Sequence, residues 1–203
     1  VEAFDSYQTC RWKLATGVEE PYLVRSTSIK HITTLGMVEV SETKSWLHFR
    51  NATGLVFSIR RYIEEYPQDI GRFLAVKDDE GNSTKGVSVQ LPKGLAEEAE
   101  RATVFSSENS DSNYLTVEMR AGKIRVKGIG VTGRYEAGKK LNWSGPEMQF
   151  LISPKLLAEI VTKHSECYMN ADRLLVSGPG NKWRYAAALG VPELGLKDEN
   201  DMT

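Results

Sequence analysis

Along residues 148–189 the apolar positions switch from a period of two to a helical period and back. "MQFLIS" alternates as a half-buried strand does. "PKLLAEIVTK" then sets Leu156, Leu157, Ile160 and Val161 on one helical face, with Lys155, Glu159, Thr162 and Lys163 on the other. "ECYMNADRLLVSGPGNKWRYAAAL" returns to strand-like runs, broken by turn chemistry at Ala171-Asp172 and Pro179-Gly180-Asn181. Residues 87–141 repeat this order. A strand "VSVQL" leads to a helix "PKGLAEEAERATVF" and to strands "NYLTVEMR", "GKIRVKGIG" and "GRYEAGKKL", the first two joined at Ala121-Gly122. In that helix Pro92 is expected in the first turn. Leu95, Ala96, Ala99, Ala102 and Thr103 share a face, opposite Lys93, Glu97, Glu100 and Arg101.

Residues 22–62 follow the same order again, with a shorter helix around 28–35, and residues 1–14 read as the closing strand of a further unit. Repetition on this scale predicts an α+β fold of βαβββ units, in which antiparallel sheets carry their helices on one face. The expected organisation is a C-terminal part of one domain over 1–77, a linker over 78–86, a complete domain over 87–190 and a polar, aperiodic tail over 191–203 expected to be disordered.

A chain of 203 residues with 40% hydrophobic and 26% charged positions has the composition of a globular protein, and a net charge of −1 argues against a generally basic nucleic-acid coat. No apolar run reaches the roughly 20 residues that span a membrane, so no membrane partner is expected. The chain starts without Met or a signal-type apolar segment, which reads as a fragment or processed chain whose own N-terminus, and the targeting information with it, is missing. Cys10 and Cys167 have neither metal-type nor redox-type spacing; buried free thiols in a reducing, cytoplasmic setting are favoured, and a single disulfide stays open.

Candidate chemistry is sparse. Gly128-x-Gly130-x-x-Gly133 has the letters of a dinucleotide fingerprint, but a strand-like segment follows where that motif needs a helix, so strand-bending glycines are the expectation. His31, His48 and His164 lack metal-type spacing, and the acidic pairs Glu64-Glu65 and Asp78-Asp79 fall in turn-like surroundings. No catalytic residue, metal or cofactor is predicted. The basic residues Lys30, Lys93, Arg101, Lys155 and Lys163 all fall on polar helix faces, where an aligned set would make a discontinuous phosphate-binding track; Glu97, Glu98 and Glu100 weaken it on the middle helix.

Taken together, "VFSIRRYIEEYPQDIGRFL", "LPKGLAEEAERATVFSSENSDSNYLTVEM", "FLISPKLLAEIVTK" and "DRLLVSGPGNKWRYAAALG" resemble, in order, the later part of the bacterial-type DNA polymerase sliding clamp, the β subunit of the replicative polymerase. "VEAFDSYQTCRWKL" resembles that family's aspartate-glycine-histidine-arginine strand, with Asp5-Ser6-Tyr7-Gln8-Thr9 keeping only the aspartate. The resemblance implies a non-enzymatic processivity factor whose full-length form closes as a ring dimer around double-stranded DNA, with helices lining the hole. It also implies an apolar groove between the second and third domains that binds DNA polymerase and clamp loader through Q-L-x-L-F type peptides. By position the groove falls to Thr9, Pro67, Arg72, Phe73, Ser153, Leu156, Ala186, Ala188 and Leu189. A clamp-fold interaction module that does not encircle DNA is the alternative.

Overall fold

The computed structural model describes residues 1–15, 21–62, 66, 70–77, 80–106 and 114–192. They form two compact units. One comprises Trp12–Gly71 with Val1; the other comprises Glu2–Arg11 with the chain from Arg72 onward.

The expected single strand over 1–14 is a hairpin, β1 (Glu2–Phe4) against β2 (Gln8–Trp12). Asp5 makes the turn, its carboxylate accepting the Tyr7 and Gln8 amides at 2.8 and 2.9 Å and the Gln8 side-chain amide at 2.9 Å. Those bonds outweigh the upward push of partial burial and hold its carboxyl below the usual range.

The first unit contains α1 (Ser26–Thr34) and an antiparallel sheet of β3 (Met37–Glu42), β4 (Trp46–Asn51) and β5 (Val56–Arg60). The strand expected before the helix is reduced to one bridge, Leu23 with Tyr62. Leu47 and Ile59, partners across β4 and β5, are buried, whereas α1 has no buried residue. A short helix, α2 (Ile70–Phe73), follows.

The second unit is built as the alternation predicts. β6 (Val87–Gln90), α3 (Leu95–Ser106), β7 (Leu115–Arg120), β8 (Lys123–Ile129) and β9 (Arg134–Lys140) make its first half. β10 (Met148–Ile152), α4 (Pro154–Lys163), β11 (Glu166–Met169), β12 (Arg173–Ser177) and β13 (Trp183–Ala188) make its second. A six-stranded sheet runs β1-β2-β13-β12-β11-β6 and a four-stranded one β10-β7-β8-β9. The halves therefore exchange strands: β6 pairs with β11, and β10 with β7. Leu151 and Gly190 exchange two 2.8 Å backbone hydrogen bonds, tying the end of one sheet to the chain leaving the other.

One core serves both halves. Leu115, Val117, Met119, Ile124, Val126 and Phe150 point inward from the four-stranded sheet, and Val89, Cys167, Met169, Leu174, Val176 and Ala187 from the six-stranded one, closing over α3 and α4. The outward face of the four-stranded sheet is laced by Lys127–Glu118 at 2.6 Å and Arg125–Glu136 at 3.0 Å. Pro92 lies before α3, its carbonyl accepting the Leu95 amide at 2.9 Å, so the helix starts later than expected and Lys93 stands in the turn ahead of it.

Gly128 sits in β8, and Gly130 and Gly133 close a strand-to-strand turn with a 2.9 Å backbone bond. A Cβ on Gly128 would lie 2.5 Å from the Ala102 carbonyl of α3; the glycine is there to let helix and strand approach.

Candidate functional site

The cations of the predicted track do not share one environment. Lys155, on the first turn of α4, is exposed and, among the described residues, has no carboxylate within salt-bridge distance, although its charge still helps to hold down Glu159 one turn on. Lys163, in the last turn, is exposed and bonded to Glu159 one turn back; that contact holds the Glu159 carboxyl below its ordinary range. Arg101 of α3 faces Glu98 at 3.5 Å and Glu97 at 3.9 Å. Lys93 is exposed in the turn before α3, and Lys30 is exposed on α1 of the other unit.

Glu98, counted with the solvent-facing carboxylates from sequence, is only 6% exposed. It accepts hydrogen bonds from the Lys139 ammonium at 2.7 Å and from the Tyr135 hydroxyl, and these two bonds, against the opposing effect of burial, hold its carboxyl below the usual range. The signal was available: Glu98 falls three residues after Leu95 and four before Ala102, on the inward face.

Most of the residues assigned to the groove lie on or under the six-stranded sheet. Thr9 of β2 is buried, its hydroxyl donating to the Ala3 carbonyl at 3.2 Å. β2 neighbours β13, where the Ala188 amide bonds the Tyr7 carbonyl at 2.8 Å and the Tyr185 hydroxyl donates to Gln8 Oε1 at 2.8 Å. Burial, with smaller contributions from Glu159 and Asp5, pushes the Tyr185 phenol well above its ordinary value. Ala186 is fully buried and Ala188 half-buried on the same strand.

Across from them Arg72 is exposed and Phe73 half-buried on a strap, residues 72–77 running out and 80–84 returning, bridged by Lys77 and Ser83. Leu156 and Leu189 are at home in the core cluster, and Ser153 is half-buried, its carbonyl accepting the Leu157 amide at 2.9 Å as α4 begins. Pro67 lies outside the described residues, as do Glu64-Glu65, Asp78-Asp79 and residues 193–203.

The residue that sequence reasoning missed is Arg173. It is 5% exposed at the start of β12, aligned with Ala188 on β13. Its guanidinium donates to the carbonyls of Arg72 at 3.3 Å, Phe73, Ala75 at 2.7 Å and Thr84 at 3.0 Å, and to the Thr84 hydroxyl at 2.9 Å. It also stands 5.9 Å from the centre of the Phe73 ring, and Arg184 adds a 3.3 Å bond to the Leu74 carbonyl. Only Nε of Arg173 lacks an acceptor. A lone charge opening the apolar run "RLLV" was the signal.

Among the described residues no cluster of His, Cys, Asp or Glu could hold a metal. His31 packs against Phe57, His48 Nδ1 lies 2.8 Å from the Ser58 hydroxyl, and His164 packs on Trp183 and Tyr185. Cys10 and Cys167 are both free thiols, but only Cys167 is buried as expected, Cys10 being exposed on β2; burial together with Glu166 pushes Cys167 up to about 12. No helix among the described residues is long and apolar enough to cross a membrane.

No protein-family model and no curated protein matches the chain. Solved structures do. A DNA polymerase III subunit beta sliding clamp from Bartonella birtlesii, bound to griselimycin, superposes with a TM-score of 0.76 at 11% identity over 94% of this chain and 54% of its own. The beta subunit from Thermotoga maritima gives 0.72 at 14%, and that from Streptococcus pyogenes 0.71 at 16%, each over 94% of this chain and 54% of its own. The chain has the α+β fold of these clamps and spans about half their length.

Proposed function

We propose that the protein is a non-enzymatic DNA sliding clamp of the cytoplasm. In its full-length form it closes as a ring dimer around double-stranded DNA without reading sequence. It recruits DNA polymerase and clamp loader through Q-L-x-L-F type peptides in a groove drawn from the strap, β2, β13 and the start of α4. The observation that carries this reading is the correspondence of fold, in order and over 94% of the chain, with sliding-clamp subunits. The exposed Lys30, Lys93 and Lys155 supply weak phosphate contact suited to sliding, since retention in a closed ring comes from topology rather than affinity.

A clamp-fold interaction module that does not encircle DNA is the second reading. The pairing of Arg101 and Lys163 with glutamates of their own helices favours it, because each pair cancels charge that a DNA-lining face would use. An anisotropy titration of a labelled Q-L-x-L-F peptide tests the feature common to both readings. Saturable binding at about micromolar Kd, lost in Phe73→Asp, supports the groove; no binding by the folded chain removes it. Loading the full-length protein on circular and linear DNA then separates the readings. A clamp runs off linear ends and stays on circles, and equal retention on both eliminates encirclement.

A further inference from the structure

A guanidinium that is 5% exposed ordinarily faces a carboxylate. Among the described residues none pairs with Arg173. Its N–H groups go instead to backbone oxygens, and those oxygens lie on both limbs of one strap: Arg72, Phe73 and Ala75 going out, Thr84 returning. Apart from that fan, the strap is tied within itself by the Thr84 amide to the Val76 carbonyl at 3.0 Å and the Thr84 hydroxyl to the Ala75 carbonyl at 3.0 Å. Arg184 adds a 3.3 Å bond to the Leu74 carbonyl and Asn170 a 3.1 Å bond to the Thr84 carbonyl, but of these three side chains only Arg173 reaches both limbs.

We infer that Arg173 is the positioning residue of the proposed groove, an inference that rests on the groove reading above. Its cation lies by the Phe73 ring while its N–H groups fix the carbonyls of Arg72 and Phe73, so both side chains are presented before a peptide arrives. Ala188, a groove candidate aligned with Arg173, sets the same anchor beside β13. Pre-organisation of this kind raises affinity by removing the cost of ordering the site on binding. Lysine cannot substitute: a single ammonium cannot spread a planar fork over acceptors on two limbs.

The test is the same peptide titration on the full chain with Arg173→Lys, Phe73→Ala and the double variant, alongside urea unfolding and hydrogen exchange. Arg173→Lys should weaken binding about tenfold, roughly one lost charged hydrogen-bond set. Amides of residues 72–76 should exchange faster while those of β12 and β13 do not. Because Arg173 acts through Phe73 and Arg72, the double variant should lose less binding than the product of the two single effects. If Arg173→Lys does not fold, Thr84→Val removes one acceptor and keeps the guanidinium; it should weaken binding about threefold.

Wild-type affinity in Arg173→Lys, with Phe73→Ala still impaired, overturns the role of Arg173 and leaves the groove standing. A double variant that loses the full product of both single effects also overturns it. A wild-type chain that binds no peptide removes the groove and this inference with it.

Discussion

α4 turns Leu156, Leu157, Ile160 and Val161 into the core, whereas α3, in the equivalent place of the preceding half, offers Leu95, Ala99, Ala102 and a carboxylate, Glu98. The element order is the same and the burial chemistry is not. α4 stands on aliphatic bulk and leaves its lysines outside. α3 comes so close to β8 that Gly128 must lack a side chain, and it spends its charge inward on Lys139 and Tyr135. One βαβββ plan thus tolerates two ways of seating a helix, and the choice decides how much charge remains for a partner.

That contrast can be broken at its strongest point first. Leu157→Ala should cost about 3 kcal/mol by urea unfolding, the transfer and cavity loss of a fully buried leucine, while Gly128→Ala should cost about 2 kcal/mol by overpacking. If the glycine variant is neutral, α3 is not held by close approach.

Glu98→Gln comes next, at about 1–2 kcal/mol near pH 7, with a distinctive pH dependence. The folded Glu98 carboxyl titrates below its unfolded value of 4.5. Its contribution is complete above 4.5 and is lost as pH falls through the lower folded value. The gap between wild type and variant should therefore close on acidification through that window, read as urea midpoints at a series of pH values. A gap that stays constant would mean that the carboxylate charge is not what holds α3.

The smallest effect on stability belongs to Lys155→Glu with Lys163→Glu, about 1 kcal/mol or less, from the lost Lys163–Glu159 pair and the like charges left at i,i+4. The same double change should weaken DNA binding and flatten its salt dependence. Unchanged DNA binding would leave these lysines a solubility role alone.

The second unit was legible because its strands alternate cleanly and its turns carry turn residues; Leu115, Val117 and Met119 against Ile124 and Val126 needed only a period of two. The glycine run at 128–133 was legible for the same reason, as a strand follows it. The hairpin at 2–11 was not, because a single aspartate makes its turn where a glycine or asparagine pair would have announced one. Of the site, the polar helix positions could be read but not their neutralisation, since pairing depends on rotamers. Arg173 was marked only by its place ahead of an apolar run, and its partners stayed hidden because four of them are backbone carbonyls, which every residue has and no sequence pattern marks.

The bond from Tyr185 to Gln8 spans 177 residues. At roughly 5–20 residues per second of synthesis, the β1–β2 hairpin must wait on the order of ten to thirty seconds for β13 to exist. Until then it is a nascent segment without its sheet. A protein expressed from Arg72 onward would lack these two strands altogether and would present the flank of β13 as a raw edge, a ready template for another chain. The boundary at which this molecule can be cut is therefore not the one at which its units divide.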